Sequence, residues 1–172
     1  MGETVLETDR LVLRKLSPEH SGFILVLLND PSWLRFIGDR GVRTLEDARK
    51  YILDGPVDSY ERVGFGMYLT ELKETGEPIG ICGLVKRDAL DDVDIGYAFL
   101  PRFRRQGFAL EAAAAVMRYG KDAVGLRRIV AITDPDNEAS IRVLEKLGMR
   151  YEKKVRLSKD GEEISLYGRA LA

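Results

Sequence analysis

Arg104, Arg105, Gln106 and Gly107 stand directly before the alanine-rich run "ALEAAAAVMRY". A helix start leaves backbone N–H groups unpaired and carries about half a positive charge, so two arginines there are unfavourable unless an anion joins them. Gly107 lets a ligand approach the backbone without a Cβ in the way, and the amides that follow point toward it, which suits a phosphate or pyrophosphate. No Walker lysine follows, and "GFGMYL" offers only two glycines of a dinucleotide fingerprint. A solvated basic turn with a helix-starting glycine accounts for the same residues equally well.

A second group of polar residues lies in "DPDNEASIRVLEKLG". By residue preference alone, Asp134, Asp136 and Asn137 are turn and N-cap residues, and Ser140 is an early-helix hydroxyl bonded to nearby backbone. Cys82, the single cysteine, lies inside "IGICGL" with no activating base nearby, so it reads as a small buried hydrophobe, not an acyl carrier. It also excludes a disulfide framework and a thiolate zinc cluster. The lone His20 follows Pro18 and Glu19 at a helix entrance and reads as a surface residue. No metal site is expected.

The elements that must position these groups follow from the patterning. "RLVLRKL" alternates as a strand; "PEHSGFILVLLND" has a helical look and stops before Pro31. "TLEDARKYIL" opens with Thr44 as N-cap and is predicted to end at Gly55. "VGFGMYLTEL", "IGICGLVKR" and "VDIGYAFL", separated by the turns "KETGEP" and "DALDD", read as an antiparallel meander. A helix from about Phe108 to Tyr119 closes at Gly120, then "RRIVAIT" is a buried strand. "NEASIRVLEKLGM" is a helix with Ile141, Leu144 and Leu147 on one stripe and Gly148 as terminator. The remainder is a hairpin around Asp160 and Gly161. The strand, helix and strand after the meander need a crossover connection, so one parallel pair must sit inside a mainly antiparallel sheet.

The chain of 172 residues fits one domain, 1–172, and its 27 basic and 28 acidic residues leave a net charge of −1. Broad attraction to nucleic acid or anionic lipid is therefore not expected, and any anion site is local. The start, "MGETVLETDR", lacks a basic n-region with an apolar h-region, and "FILVLL" is too short to span a bilayer. A cytoplasmic protein with no membrane partner is the expectation.

Three stretches, "TDRLVLRKL", "DIGYAFLPRFRRQGFALEAA" and "AITDPDNEASIRVLEKLGM", resemble the GNAT acetyltransferases of the RimJ/RimL-like branch, in the same order and over nearly the whole chain. The resemblance implies an α/β (α+β) fold. Its sheet would be mixed, mostly antiparallel, seven-stranded and twisted, with helices on both faces and the fourth and fifth strands splayed apart. It implies acetyl-CoA as cosubstrate. The family's loop pattern falls on Arg104, Gly107 and Ala109, so the amides of Arg105, Gln106, Gly107, Phe108 and Ala109 would hold the pyrophosphate. Phe99 and Leu100 would lie beside the pantetheine arm, Asn137 would contact it, and Ser140 would lie near the thioester sulfur. Many relatives carry a tyrosine where this chain has Leu144, which leaves Ser140 as the donor to the departing sulfur.

The implied reaction is direct acetyl transfer to a primary amine, either a protein or peptide N-terminal α-amine or a small-molecule amine. An N–H near Tyr97 and Ala98 would hold the oxyanion. Asp94 matches the position of a glutamate in relatives and is the candidate base, with Asp134 second. Trp33, Phe36, Tyr97 and Tyr167 are candidate walls of the amine pocket, and "DALDD" could meet a basic acceptor. The alternative is a non-catalytic module that binds coenzyme A as a sensor or partner domain. A monomer and a homodimer are both compatible with the sequence.

Overall fold

The protein is described here by a computed structural model of residues 2–171. In chain order the strands are β1 (Thr4–Glu7), β2 (Leu11–Lys15), β3 (Met67–Leu72), β4 (Pro78–Val85), β5 (Asp94–Phe99), β6 (Arg128–Thr133), β7 (Arg150–Val155) and β8 (Ile164–Ala170). The helices are α1 (Ser21–Leu28), α2 (Pro31–Phe36), α3 (Leu45–Ile52), α4 (Asp58–Val63), α5 (Phe108–Tyr119) and α6 (Glu138–Lys146). All eight strands form one sheet in the order β1-β2-β3-β4-β5-β6-β8-β7. Every pairing is antiparallel except β5 with β6, the parallel pair that the crossover through α5 demands.

Alternation along the central strands sends side chains to two separate cores. Tyr68, Cys82 and Leu84 meet Ala112, Ala113 and Val116 of α5 and Leu144 of α6 on one face. Leu69 and Ile81 meet Ile24, Leu27, Ala48 and Ile52 of α1 and α3 on the other. Each large side chain buried this fully stabilises by about 1.5–3 kcal/mol relative to exposure. Helices therefore cover both faces of the sheet, as expected. No helix among the described residues is long and apolar enough to cross a membrane.

Four local expectations need correction. The sheet has eight strands, not seven, because half-exposed β1 pairs with β2 (Leu6 opposite Leu13, Glu7 opposite Val12) without an apolar alternation of its own. The helix expected to stop at Gly55 passes through a wide turn at 53–57, which accommodates Pro56 and its missing N–H, and continues as α4 to Gly64 at φ +84°. α5 ends at Tyr119 with Gly120 as its C-cap, as expected, but Gly120 is not a left-handed terminator: its φ is −58°, and the chain winds on through a wide turn at 120–124 to Gly125 at φ +83°. A Cβ at Gly120 would stand 3.2 Å from a Leu126 methyl and 3.4 Å from a Leu84 methyl, so the glycine lets these two side chains pack close to the backbone. Asp160 and Gly161 do not form a two-residue hairpin turn. Gly161 lacks the positive φ that such a turn needs, and its N–H closes a four-residue turn onto the Ser158 carbonyl at 3.1 Å.

Candidate active site

Backbone pairing between β5 and β6 is confined to Asp94 opposite Val130, with the Val130 N–H donating to the Val93 carbonyl at 3.0 Å. Beyond that point the strands part, which is the expected splay. The Leu100 N–H donates to the Ile79 carbonyl of β4 at 2.9 Å. Hydrogen-bonded pairs recur every second residue in an antiparallel ladder, so the main-chain groups of Gly96 and Ala98 also turn toward β4. Those of Tyr97 and Phe99 turn into the opening. The Phe99 carbonyl is occupied, because it accepts from Arg104 Nε at 3.1 Å and Nη2 at 2.8 Å. The Tyr97 N–H and carbonyl and the Phe99 N–H are left facing the gap.

The Tyr97 side chain crosses that gap. Its hydroxyl lies 3.1 Å from both the carbonyl oxygen and the hydroxyl of Ser140. Burial pushes the Tyr97 phenol up to about 12, so it stays protonated at neutral pH. Asn137 caps α6 by accepting from the Ser140 N–H at 3.2 Å, the local role its residue type suggests. Its side-chain NH2 makes no hydrogen bond among the described residues and can serve a ligand. Cys82 stands opposite Tyr97 on β4; burial pushes its thiol pKa upward, which fits an inert core residue.

At the end of β5 the chain makes two left-handed turns in close succession, Arg105 at φ 62° and Gly107 at φ +82°. Gly107 is the N-cap of α5 and has no side chain to close the helix, so the amides at its start are open to an anion. Two further contacts secure the loop: Gln106 Nε2 donates to the Arg102 carbonyl at 3.0 Å, and Arg10 Nη1 donates to the Gln106 carbonyl at 3.0 Å. Arg10 also covers the Phe108 ring at 4.3 Å and pairs with Glu111 of α5 at 2.8 Å. Thr8 Oγ1 donates to the second Glu111 oxygen at 2.5 Å. Thr8, Arg10 and Glu111 are site-supporting residues that patterning does not reveal; they lie within two of the stretches that carry the resemblance, "TDRLVLRKL" and "DIGYAFLPRFRRQGFALEAA". A pyrophosphate fits this loop, since it offers unpaired N–H donors and needs no metal to bring them together.

Several expected residues serve elsewhere. The Arg104 guanidinium faces away from the loop amides, toward Phe99 and the start of α2, where it reaches Asp30 at 3.1 Å and Ser32 at 2.9 Å. Leu100 and Ala98 have their N–H groups committed to β4, so of the two expected oxyanion donors, near Tyr97 and Ala98, only the Tyr97 N–H faces the gap. Trp33 is buried among α1 and α3 residues, and buried Tyr167 makes an edge contact with Tyr151 at 5.8 Å. Phe36 lies under Arg35 at 4.7 Å. His20 is not a surface residue: its side chain is 12% exposed, and Nδ1 accepts the Ser17 N–H at 3.0 Å to close a short helical turn. Within "DALDD", Asp92 is paired with Arg128 at 3.1 Å. Asp134 accepts the Asp136 N–H at 2.8 Å in its own turn.

Asp94 is 1% exposed on the face opposite Tyr97, beside the point where the splay begins. Burial raises its pKa, opposed by Arg87, whose Nε donates to Asp94 Oδ2 at 2.9 Å. Arg87 is a further residue that patterning alone does not single out.

Residues 10–150 match the acetyltransferase (GNAT) domain family. The chain is 34% identical to the uncharacterized protein YkkB of Bacillus subtilis, over 97% of this chain and 96% of that one. It is 33% identical to the uncharacterized N-acetyltransferase YoaA of the same organism, over 86% and 84%. Among solved structures, RimL, a ribosomal α-N-protein acetyltransferase in complex with coenzyme A, superposes with a TM-score of 0.84 over 98% of both chains at 21% identity.

Proposed function

The chain belongs to the GNAT acetyltransferases, and on that footing we propose that it moves the acetyl group of acetyl-CoA directly onto a primary amine, with Tyr97 and Ser140 reacting from one face of the sheet and Asp94 from the other. The observation that carries this reading is the hydroxyl pair of Tyr97 and Ser140 across the splay. When the Tyr97 O–H donates to Ser140 Oγ, the serine proton is free to donate to a departing sulfur, the role that Leu144 cannot fill. The Tyr97 N–H, turned into the gap, donates to the thioester oxygen as charge develops there. The α5 loop holds the diphosphate, and the Asn137 amide contacts the arm between them.

As the new C–N bond forms, the C–S bond breaks; Asp94 takes the amine proton and the sulfur leaves as a thiolate. An α-amino group, with a reference pKa of about 7.7–8 against about 10.4 for lysine, asks less of the base and favours a protein, peptide or amino-acid α-amine as acceptor. Release of free thiol from acetyl-CoA in the presence of amines tests the reading. Ser140→Ala is expected to lower kcat by about 10²-fold, the scale of a lost transition-state donor, with little change in acetyl-CoA affinity. Unchanged turnover would remove Ser140 from this role.

A further inference from the structure

β5 is the fifth strand of an eight-stranded sheet with a core on each face. Gly96 and Ala98 nevertheless keep part of their surface open to solvent, while Asp94, on the same face by alternation, is buried. Three glycines lie in β4 and β5, and a Cβ added to each meets different surroundings. At Gly80 it would collide with the Ala98 carbonyl oxygen, and at Gly83 with the Gly66 carbonyl oxygen, so close backbone approach demands glycine at both. Gly96 stands directly opposite Gly83 and shares its face. Apart from its chain neighbours, a Cβ there would meet only the tail of Met67 among the described residues, the sulfur at 3.5 Å and the methyl at 3.6 Å.

Those are ordinary contact distances, and the φ of Gly96 is not positive, so neither packing nor backbone excludes alanine. A glycine inside a strand weakens it, and where the fold does not require one it marks close approach of a ligand to the backbone. Gly96 lies about 7 Å along the strand from Asp94, beside the opening where β5 leaves β6. Half-buried Met67 belongs to the same apolar group as Ala98 and Leu100. Gly96 and Ala98 thus form a shallow apolar floor walled by a flexible thioether. The space between the Gly96 backbone and the Met67 tail admits one methyl group at contact distance.

We propose that Gly96 is a specificity-determining residue: the carbon bearing the acceptor amine rests on Gly96 and Ala98, and Met67 limits the group that carbon can carry. Hydrogen, methyl or hydroxymethyl fits without displacing Met67, and a branched group does not. This inference rests on the transfer reading above and deepens it, by giving the acceptor the face of the sheet opposite Tyr97 and Ser140.

The test uses glycine, alanine, serine and valine as acceptors, each free and at the head of a tripeptide, together with spermidine. They are compared for the full chain, Gly96→Ala, Met67→Ala and the double variant, with acetyl-CoA affinity and Tm measured for each. In the parent, valine should be the worst acceptor by about tenfold or more, the scale that one or two methyl groups carry in a tight apolar slot. Gly96→Ala should lower kcat/KM by about tenfold or more for whichever acceptors the parent uses. Its acetyl-CoA affinity should be unchanged, and its Tm should hold or rise, because alanine restricts the unfolded chain more than glycine does. Adding Met67→Ala should recover part of that loss and narrow the gap between valine and alanine. A glycine kept only for the fold gives the opposite pairing, a lower Tm with weaker acetyl-CoA binding. That pairing, unchanged kcat/KM in Gly96→Ala, or a loss that Met67→Ala does not relieve overturns the inference and leaves acetyl transfer standing. No acetylation of any acceptor by protein that binds acetyl-CoA overturns both.

Discussion

Asp94 shows how one residue's surroundings set its chemistry. Its carboxyl is lifted above the ordinary 3.8 by burial, while the Arg87 guanidinium pulls the other way. A base raised in this manner holds the amine proton better than a solvated aspartate does. With an acceptor whose amine is already neutral at pH 6, kcat should fall on the acid side as Asp94 protonates. Arg87→Met removes the opposing charge and should move that fall to higher pH. Asp94→Asn should abolish it and lower kcat by about 10²-fold or more. The stability sign is the reverse of a salt-bridged surface acid. The folded pKa lies above the unfolded one, so this group favours folding most at low pH and loses that contribution as pH rises through the folded pKa. A pH-rate profile that is the same in Arg87→Met and the parent would separate Asp94 from proton transfer.

At the scale of elements, the anion loop depends on a strand far from it in sequence. Glu111, one turn into α5, receives Thr8, the Arg10 N–H at 3.0 Å and the Arg10 side chain, which fastens the β1–β2 turn to the helix that presents the loop. Burial opposes ionisation of Glu111, but these hydrogen bonds outweigh it and hold its carboxyl below the usual range. Its stabilising contribution is therefore complete above the unfolded pKa and lost as pH falls through the folded one. Glu111→Gln should cost about 1–3 kcal/mol in urea unfolding at pH 7, and progressively less as the parent's own carboxyl protonates. KM for acetyl-CoA should rise and KM for the acceptor should not; a rise in both would mean that the clamp supports the whole sheet. Thr8 and Arg10 had no periodic signal, whereas the Thr44 cap and the Gly148 terminator (φ +82°) were legible because local backbone geometry decides them. The terminator role of Gly120 and the Asp160–Gly161 turn were misread for the opposite reason. Packing of Leu84 against Gly120 and the eight-residue connection between β7 and β8 shape those positions, and neither is written in the local sequence.

Across the whole molecule, one sheet with a core on each face is interrupted where β5 leaves β6. Each core covers its own face, so the gap can persist without exposing either, and a ligand can supply the missing strand-edge partners. The amides of β5 should therefore behave unequally. Gly96 and Ala98 are bonded to β4 and should exchange slowly with solvent deuterium, while Tyr97 and Phe99 should exchange fast in the free protein. Acetyl-CoA at 100 times its Kd adds about 2.7 kcal/mol of stability, which for a chain of this length raises Tm by about 5–10 °C. Under those conditions Tyr97 and Phe99 should slow toward their neighbours. Residue-resolved exchange distinguishes this from a general tightening, in which all four amides slow by the same factor. Free protein in which Tyr97 is already as protected as Ala98 would mean that β5 and β6 close against each other in solution, leaving no gap for the thioester to enter and no donor free to meet it.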